Sequence, residues 1–105
     1  MKSHCDYETH KLQKEEARKL LAKVIRSKDC FVVFSKHARD ELKKDDIPTS
    51  HVFNVLASSD AQILGDGELE KGTYRYRVET KNICVVIVFK SDTEAMVVTA
   101  WRKKR

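Results

Sequence analysis

Proline occurs once and glycine three times in 105 residues, too few for a collagen-like repeat or a Pro/Gly-rich linker protein. No apolar run approaches the roughly 20 residues that carry a helix across a bilayer, so no membrane span and no membrane partner are expected. The opening MKSHCDYETHK has none of the apolar stretch of a secretory signal. Cysteine is scarce and odd in number (Cys5, Cys30, Cys84), with no CxxC pair. That pattern fits reduced thiols in a cytoplasm better than a disulfide framework or a zinc site. A Gly-rich phosphate loop, HExxH and GxSxG are all missing. The four histidines have no His or Cys partner at metal spacing, and the acids cluster in turns and on exposed helix faces. Neither a zinc site nor two-carboxylate metal chemistry is therefore expected, and no cofactor.

What is present is ordinary globular material: 41% hydrophobic and 35% charged residues, read as one domain spanning 1–105. The net charge of +5 is unevenly spread. Residues 51–70 hold four acids and no Lys or Arg, whereas residues 71–105 hold nine basic and three acidic residues. The basic end, Trp101-Arg102-Lys103-Lys104-Arg105, attracts polyanions through summed Coulomb forces. It attracts an acidic protein equally well, and a plain solvated tail is the third reading. The acidic block from Asp60 to Glu70 is expected to form a solvated hairpin turned away from any RNA.

Residues 8–28 lack Gly and Pro, and Ala17, Leu20, Leu21, Val24 and Ile25 recur at helical spacing, so a first helix is predicted there with Thr9 as its N-cap. Cys30 to Phe34 reads as a short strand. Ser35 caps a second helix over 36–44 that buries Ala38 and Leu42. Pro48 opens a third over 49–58, lined by Val52, Val55 and Leu56. Period-2 patterning then takes over: a weak strand at 61–64, a Gly65-Asp66-Gly67 turn, and strands at 73–79, 83–89 and 95–101 joined by short connections. The expected architecture is α+β, with N-terminal helices on a three- to four-stranded antiparallel sheet over about 61–103.

His37 borders the buried face of the second helix. It is either a packed helix-edge histidine or, because an imidazole titrates near neutrality, a proton-transfer group. Arg75 and Arg77 share one strand face, about 6–7 Å apart, where they could clamp a phosphodiester, or simply decorate an exposed face. Tyr74 and Tyr76 read as core or edge packing, with Tyr76 kept as an RNA contact. Thr99 interrupts the apolar string Met96-Val97-Val98, so its hydroxyl either bonds back into the sheet or points into a site. Trp101 caps the core or stacks a base, beside Arg102 and Lys103.

The strings Ala17-Arg18-Lys19-Leu20-Leu21, Phe34-Ser35-Lys36-His37-Ala38-Arg39, the "IP..HVFNVL" start of the third helix and Val97-Val98-Thr99-Ala100 resemble small MqsR-related proteins of the wider RelE/barnase/EndoU-like group of ribonuclease toxins. The resemblance spans roughly residues 17–101. It implies helices backing a curved antiparallel sheet, and RNA cleavage without a metal by 2′-hydroxyl attack on the sheet's open face. It also implies a cognate antitoxin protein that masks the toxin, to which the acidic block could offer a seat, and leaves the ribosome open as a further partner. Carried over by residue, His37 moves a proton, Arg75 and Arg77 hold the phosphate, and Thr99 orients one of them. Lys36, Tyr76, Trp101, Arg102 and Lys103 contact RNA. The sequence departs from the MqsR branch, which relies on Lys, Gln and Tyr rather than a helix-borne His. A non-catalytic RNA- or ribosome-binding module and a basic protein-interaction module are the alternative functions.

Overall fold

The computed structural model describes residues 7–26, 28 and 31–103. Cys5, Cys30, Lys104 and Arg105 lie outside the described residues. Among those described, three helices and six strands follow in the order α1 (Lys14–Arg26), β1 (Phe31–Phe34), α2 (Lys36–Lys44), α3 (Thr49–Ala57), β2 (Gln62–Ile63), β3 (Glu68–Glu70), β4 (Thr73–Glu79), β5 (Ile83–Phe89) and β6 (Glu94–Arg102). The architecture is α+β.

The sheet is larger than three or four strands and is mixed. Its order is β1-β6-β5-β4-β2, with β3 also on β4. β4, β5 and β6 form the expected antiparallel meander. β1 joins it parallel to β6, from Phe31 opposite Glu94 to Phe34 opposite Val97. Parallel neighbours need a long crossover, and α2, α3 and the strands after them supply it. β2 and β3 are short and pair with different stretches of β4.

β5 is the centre of the sheet. Every residue of Ile83-Cys84-Val85-Val86-Ile87-Val88-Phe89 is buried, because both faces of this strand are covered. On one face Val85, Ile87 and Phe89 join Tyr76, Val78, Val97 and Ala100 with the helix residues Leu20, Leu21, Val24, Ala38, Leu42, Val52, Val55 and Leu56 in the main core. On the other face Val86, Val88 and Val98 form a smaller cluster with Met96 and Trp101. A bulge in β6 sets the phase between them: Val86 pairs with Thr99 but Ile87 pairs with Val97. The unmatched Val98 lets the strand bury Val97 and Ala100 on the helix side while Val98, Thr99 and Trp101 turn to the other.

α1 begins at Lys14, not near residue 8, and Thr9 does not cap it. The preceding segment is drawn onto the sheet instead. Tyr74 N–H donates to Glu8 C=O at 2.8 Å, Leu12 N–H donates to the Tyr76 hydroxyl at 2.9 Å, and Gly67 N–H donates to Leu12 C=O at 3.2 Å. The first turn is then capped by carboxylates: Glu16 Oε1 accepts from Gln13 N–H at 3.0 Å, and Asp66 Oδ1 accepts from Lys14 N–H at 2.8 Å. Gly67 has to be small here, since a Cβ would come within 2.7 Å of the Tyr76 ring.

α2 starts where Ser35 places it, and α3 ends at Ala57, with the Ser58 N–H returning to Val55 C=O. No helix among the described residues is long and apolar enough to cross a membrane.

Candidate functional site

The sheet face that carries Val86 and Val98 is the floor of a cleft of about 550 Å³. One wall is β4 and β3, bringing Arg75, Arg77, Glu68, Glu70 and Lys71. The other is the end of β6 and the start of α2, bringing Thr99, Trp101, Met96, Ser35 and His37.

Each wall is built locally. β4 alternates, so Tyr76 and Val78 go to the core while Arg75 and Arg77 go to the cleft. Arg77 and Thr99 both register against Val86, which sets their backbones about 10 Å apart across an apolar floor. Ser35 fixes the far wall. Its backbone N–H donates to Val97 C=O at 2.9 Å and its hydroxyl donates to Val98 C=O at 3.3 Å. The same oxygen accepts the Ala38 N–H at 3.0 Å, a helix N-cap. One side chain thus ties the start of α2 to the β6 bulge, and exposed His37, two residues on, is held at the cleft rim.

The Arg75 side chain is 23% exposed, and its Nη1 stands 4.0 Å from Glu70 Oε2. Its Nε is buried and has no hydrogen-bond acceptor among the described residues. A buried charged donor without a partner is costly, so this guanidinium retains unused capacity for an anion. Three cations (Lys71, Arg75, Arg77) face two carboxylates (Glu68, Glu70) around the cleft.

His37, Arg75, Arg77, Thr99 and Trp101 therefore share one cleft. Four other residues assigned to RNA contact do not line it. Tyr76 is 1% exposed: strand alternation turns it to the core, where its ring lies 5.3 Å from that of Phe89 and its hydroxyl holds Leu12. It cannot stack a base. Arg102 lies on the helix side, donating to Asp46 C=O at 3.2 Å. Lys103 is paired with Glu79 at 2.7 Å and borders a separate groove of about 720 Å³ beside α3, with His51, Asn54 and Asp60. Lys36 is exposed on α2 outside the cleft lining.

The acidic hairpin is also corrected, because Glu68 and Glu70 face into the cleft. Glu68 lies opposite Arg75 and Glu70 opposite Thr73, across a two-residue turn in which Lys71 and Gly72 both have positive φ (53° and 85°). The Gly at the second position of this two-residue turn is the part of a hairpin signal that the sequence carries, and reading it would have set Glu68 against Arg75. Ser35 was legible as a cap but not as a tether, since Val97 and Val98 are remote in sequence.

Among the described residues no group of three or more His, Cys, Asp or Glu side chains is placed to hold a metal ion. Cys84 is buried within β5, opposite Trp101, where burial, followed by the neighbouring Glu79 charge, pushes its thiol pKa up.

Residues 34–102 match the model of a family described as a domain of unknown function, DUF4258, and the chain belongs to that family. The matched span contains every residue of the cleft and leaves out α1. Comparison with curated proteins and with solved structures found no match.

Proposed function

We propose that the chain is a toxin-type endoribonuclease, an mRNA interferase similar to MqsR-like and RelE-like proteins, that acts in the cytoplasm and is restrained by a cognate antitoxin. Transesterification at RNA needs a proton taken from the 2′-hydroxyl, a proton given to the 5′-oxygen, and stabilisation of the charge gathering on phosphorus. Nothing in that list requires a metal. In this reading the scissile phosphate lies over Val86. Arg75 and Arg77 hold its oxygens from one side, with the free Nε of Arg75 among the donors. His37 transfers a proton from the other side, Thr99 positions the phosphate against Arg77, and Trp101 stacks a flanking base.

The observation that supports this most is the convergence of one imidazole and two guanidinium groups, remote in sequence, on one open cleft of the sheet. The test is incubation of the purified chain with RNA in a metal chelator. The parent is expected to cleave, leaving 2′,3′-cyclic phosphate ends. His37→Ala and Arg77→Ala should each lose about 10²-fold or more in rate with unchanged circular dichroism. Binding that weakens steeply with salt while the RNA stays intact would instead favour a non-catalytic RNA-binding module.

A further inference from the structure

Two carboxylates in the wall of a cleft proposed to take RNA need a reason. Glu68 and Glu70 are both exposed, so neither is there to complete a core. Glu70 offsets part of the Arg75 charge, its Oε2 lying 4.0 Å from Nη1, but that separation exceeds hydrogen-bond reach, so this contact does not use up the carboxylate's capacity to accept. A phosphodiester brought against them is repelled. The RNA backbone must then follow Arg75 and Arg77 on the side toward Thr99, which leaves a base or a sugar to meet β3.

A carboxylate can only accept hydrogen bonds. The donors an RNA base offers most freely are exocyclic amino groups: N6 of adenine, N4 of cytosine and N2 of guanine. Uracil has no amino group, and its one Watson–Crick donor, N3–H, is flanked by O2 and O4, whose lone pairs would face the glutamates. Amino groups in a duplex are already engaged in pairing, so such a reader needs an unpaired base.

We propose that Glu68 and Glu70 are specificity-determining residues that accept from the amino group of an unpaired adenine, cytosine or guanine, so that the cleft takes single-stranded RNA and discriminates against uracil. This rests on the ribonuclease reading above and names the substrate class for that site. The β3–β4 hairpin, held in register by the Lys71-Gly72 turn, fixes the two acceptors relative to the phosphate-holding arginines.

The experiment uses the full chain in chelator with uridine dodecamers, either unbroken or carrying one central A, C or G, and maps the cut sites. The parent is expected to cut beside the inserted base at least about tenfold faster than at uridine, since a site built to bond a polar group rejects the analogue lacking it. In Glu68→Ala and Glu70→Ala together that ratio should fall to about twofold or less. The ratio is the readout, because removing negative charge changes overall RNA affinity by itself. Equal cutting of all four oligomers by the parent, or an unchanged ratio in the double variant, overturns the specificity assignment and leaves the nuclease standing. Cleavage of total RNA with every dodecamer intact overturns it too. If the parent cuts no RNA at all, the nuclease reading falls and this assignment with it.

Discussion

Tyr76 shows how a side chain suited to one role by composition is committed to another by position. Its ring packs on Phe89, its hydroxyl accepts from Leu12 N–H, and Gly67 exists to admit it. Tyr76→Phe keeps the ring and strands the Leu12 donor in a buried place. The expected cost is about 1–3 kcal/mol of unfolding free energy, from the desolvation of an unpaired N–H, measured by urea denaturation. A variant as stable as the parent would mean that water replaces the hydroxyl, and that the segment before α1 is not held as described.

At the scale of elements, the joint between α2 and β6 matters most for the site. Ser35→Ala removes a cap and a tether together, and should lower stability by about 1 kcal/mol in thermal or urea unfolding. On the proposed function it should also lower RNA cleavage, because this turn sets where α2, and His37 with it, begins. Retained activity alongside the stability loss would detach His37 from the chemistry.

The same joint marks the limit of what the sequence discloses. α2 and α3 were readable because Ser35, Pro48 and the apolar spacing act within one turn. β4, β5 and β6 were readable because alternation and the fully apolar run at 83–89 are local. The pairings were not. Phe31–Phe34 announced a strand, but nothing near it indicates that its neighbour is β6 and runs parallel. α1 lost its first turn to hydrogen bonds that Glu8 accepts from Tyr74 and Leu12 donates to Tyr76, more than 60 residues away. In the site, the arginine pair, His37, Thr99 and Trp101 were legible as candidates, and the fold brings them to one cleft. Arg102 and Lys103 misled because a run of basic residues looks like one surface, while alternation and the Glu79 pair divert its members elsewhere.

For the molecule as a whole, two buried protonated groups set a response to alkali. Desolvation raises the pKa of the Cys84 thiol, and also that of the Tyr76 hydroxyl despite the bond from Leu12. A group whose pKa is higher folded than unfolded keeps its proton longer in the native state. The unfolded chain therefore releases protons first as pH climbs past the ordinary thiol and phenol values, about 8.5 and 10, and the native state loses ground from there upward. Unfolding free energy should be flat near pH 7 and decline between about pH 8.5 and 10.5. Cys84→Ala should remove the earlier part of the decline. A parent curve that stays level to about pH 10 would contradict the burial of Cys84, and one with no further fall above about pH 10 would contradict that of Tyr76.

The parallel seam between β1 and β6 has a bearing on how the protein is made. Translation produces Phe31–Phe34 about sixty residues ahead of the strand it must lie beside, so this seam closes only after β6 has left the ribosomal tunnel. Ser35 waits equally for the carbonyls of Val97 and Val98. Contacts so distant along the chain form slowly, and in a nascent chain they cannot form at all until synthesis passes residue 98. The cleft is thus assembled only once β6 is free to pair, and on the proposed function a half-made polypeptide has no means of attacking the message that encodes it.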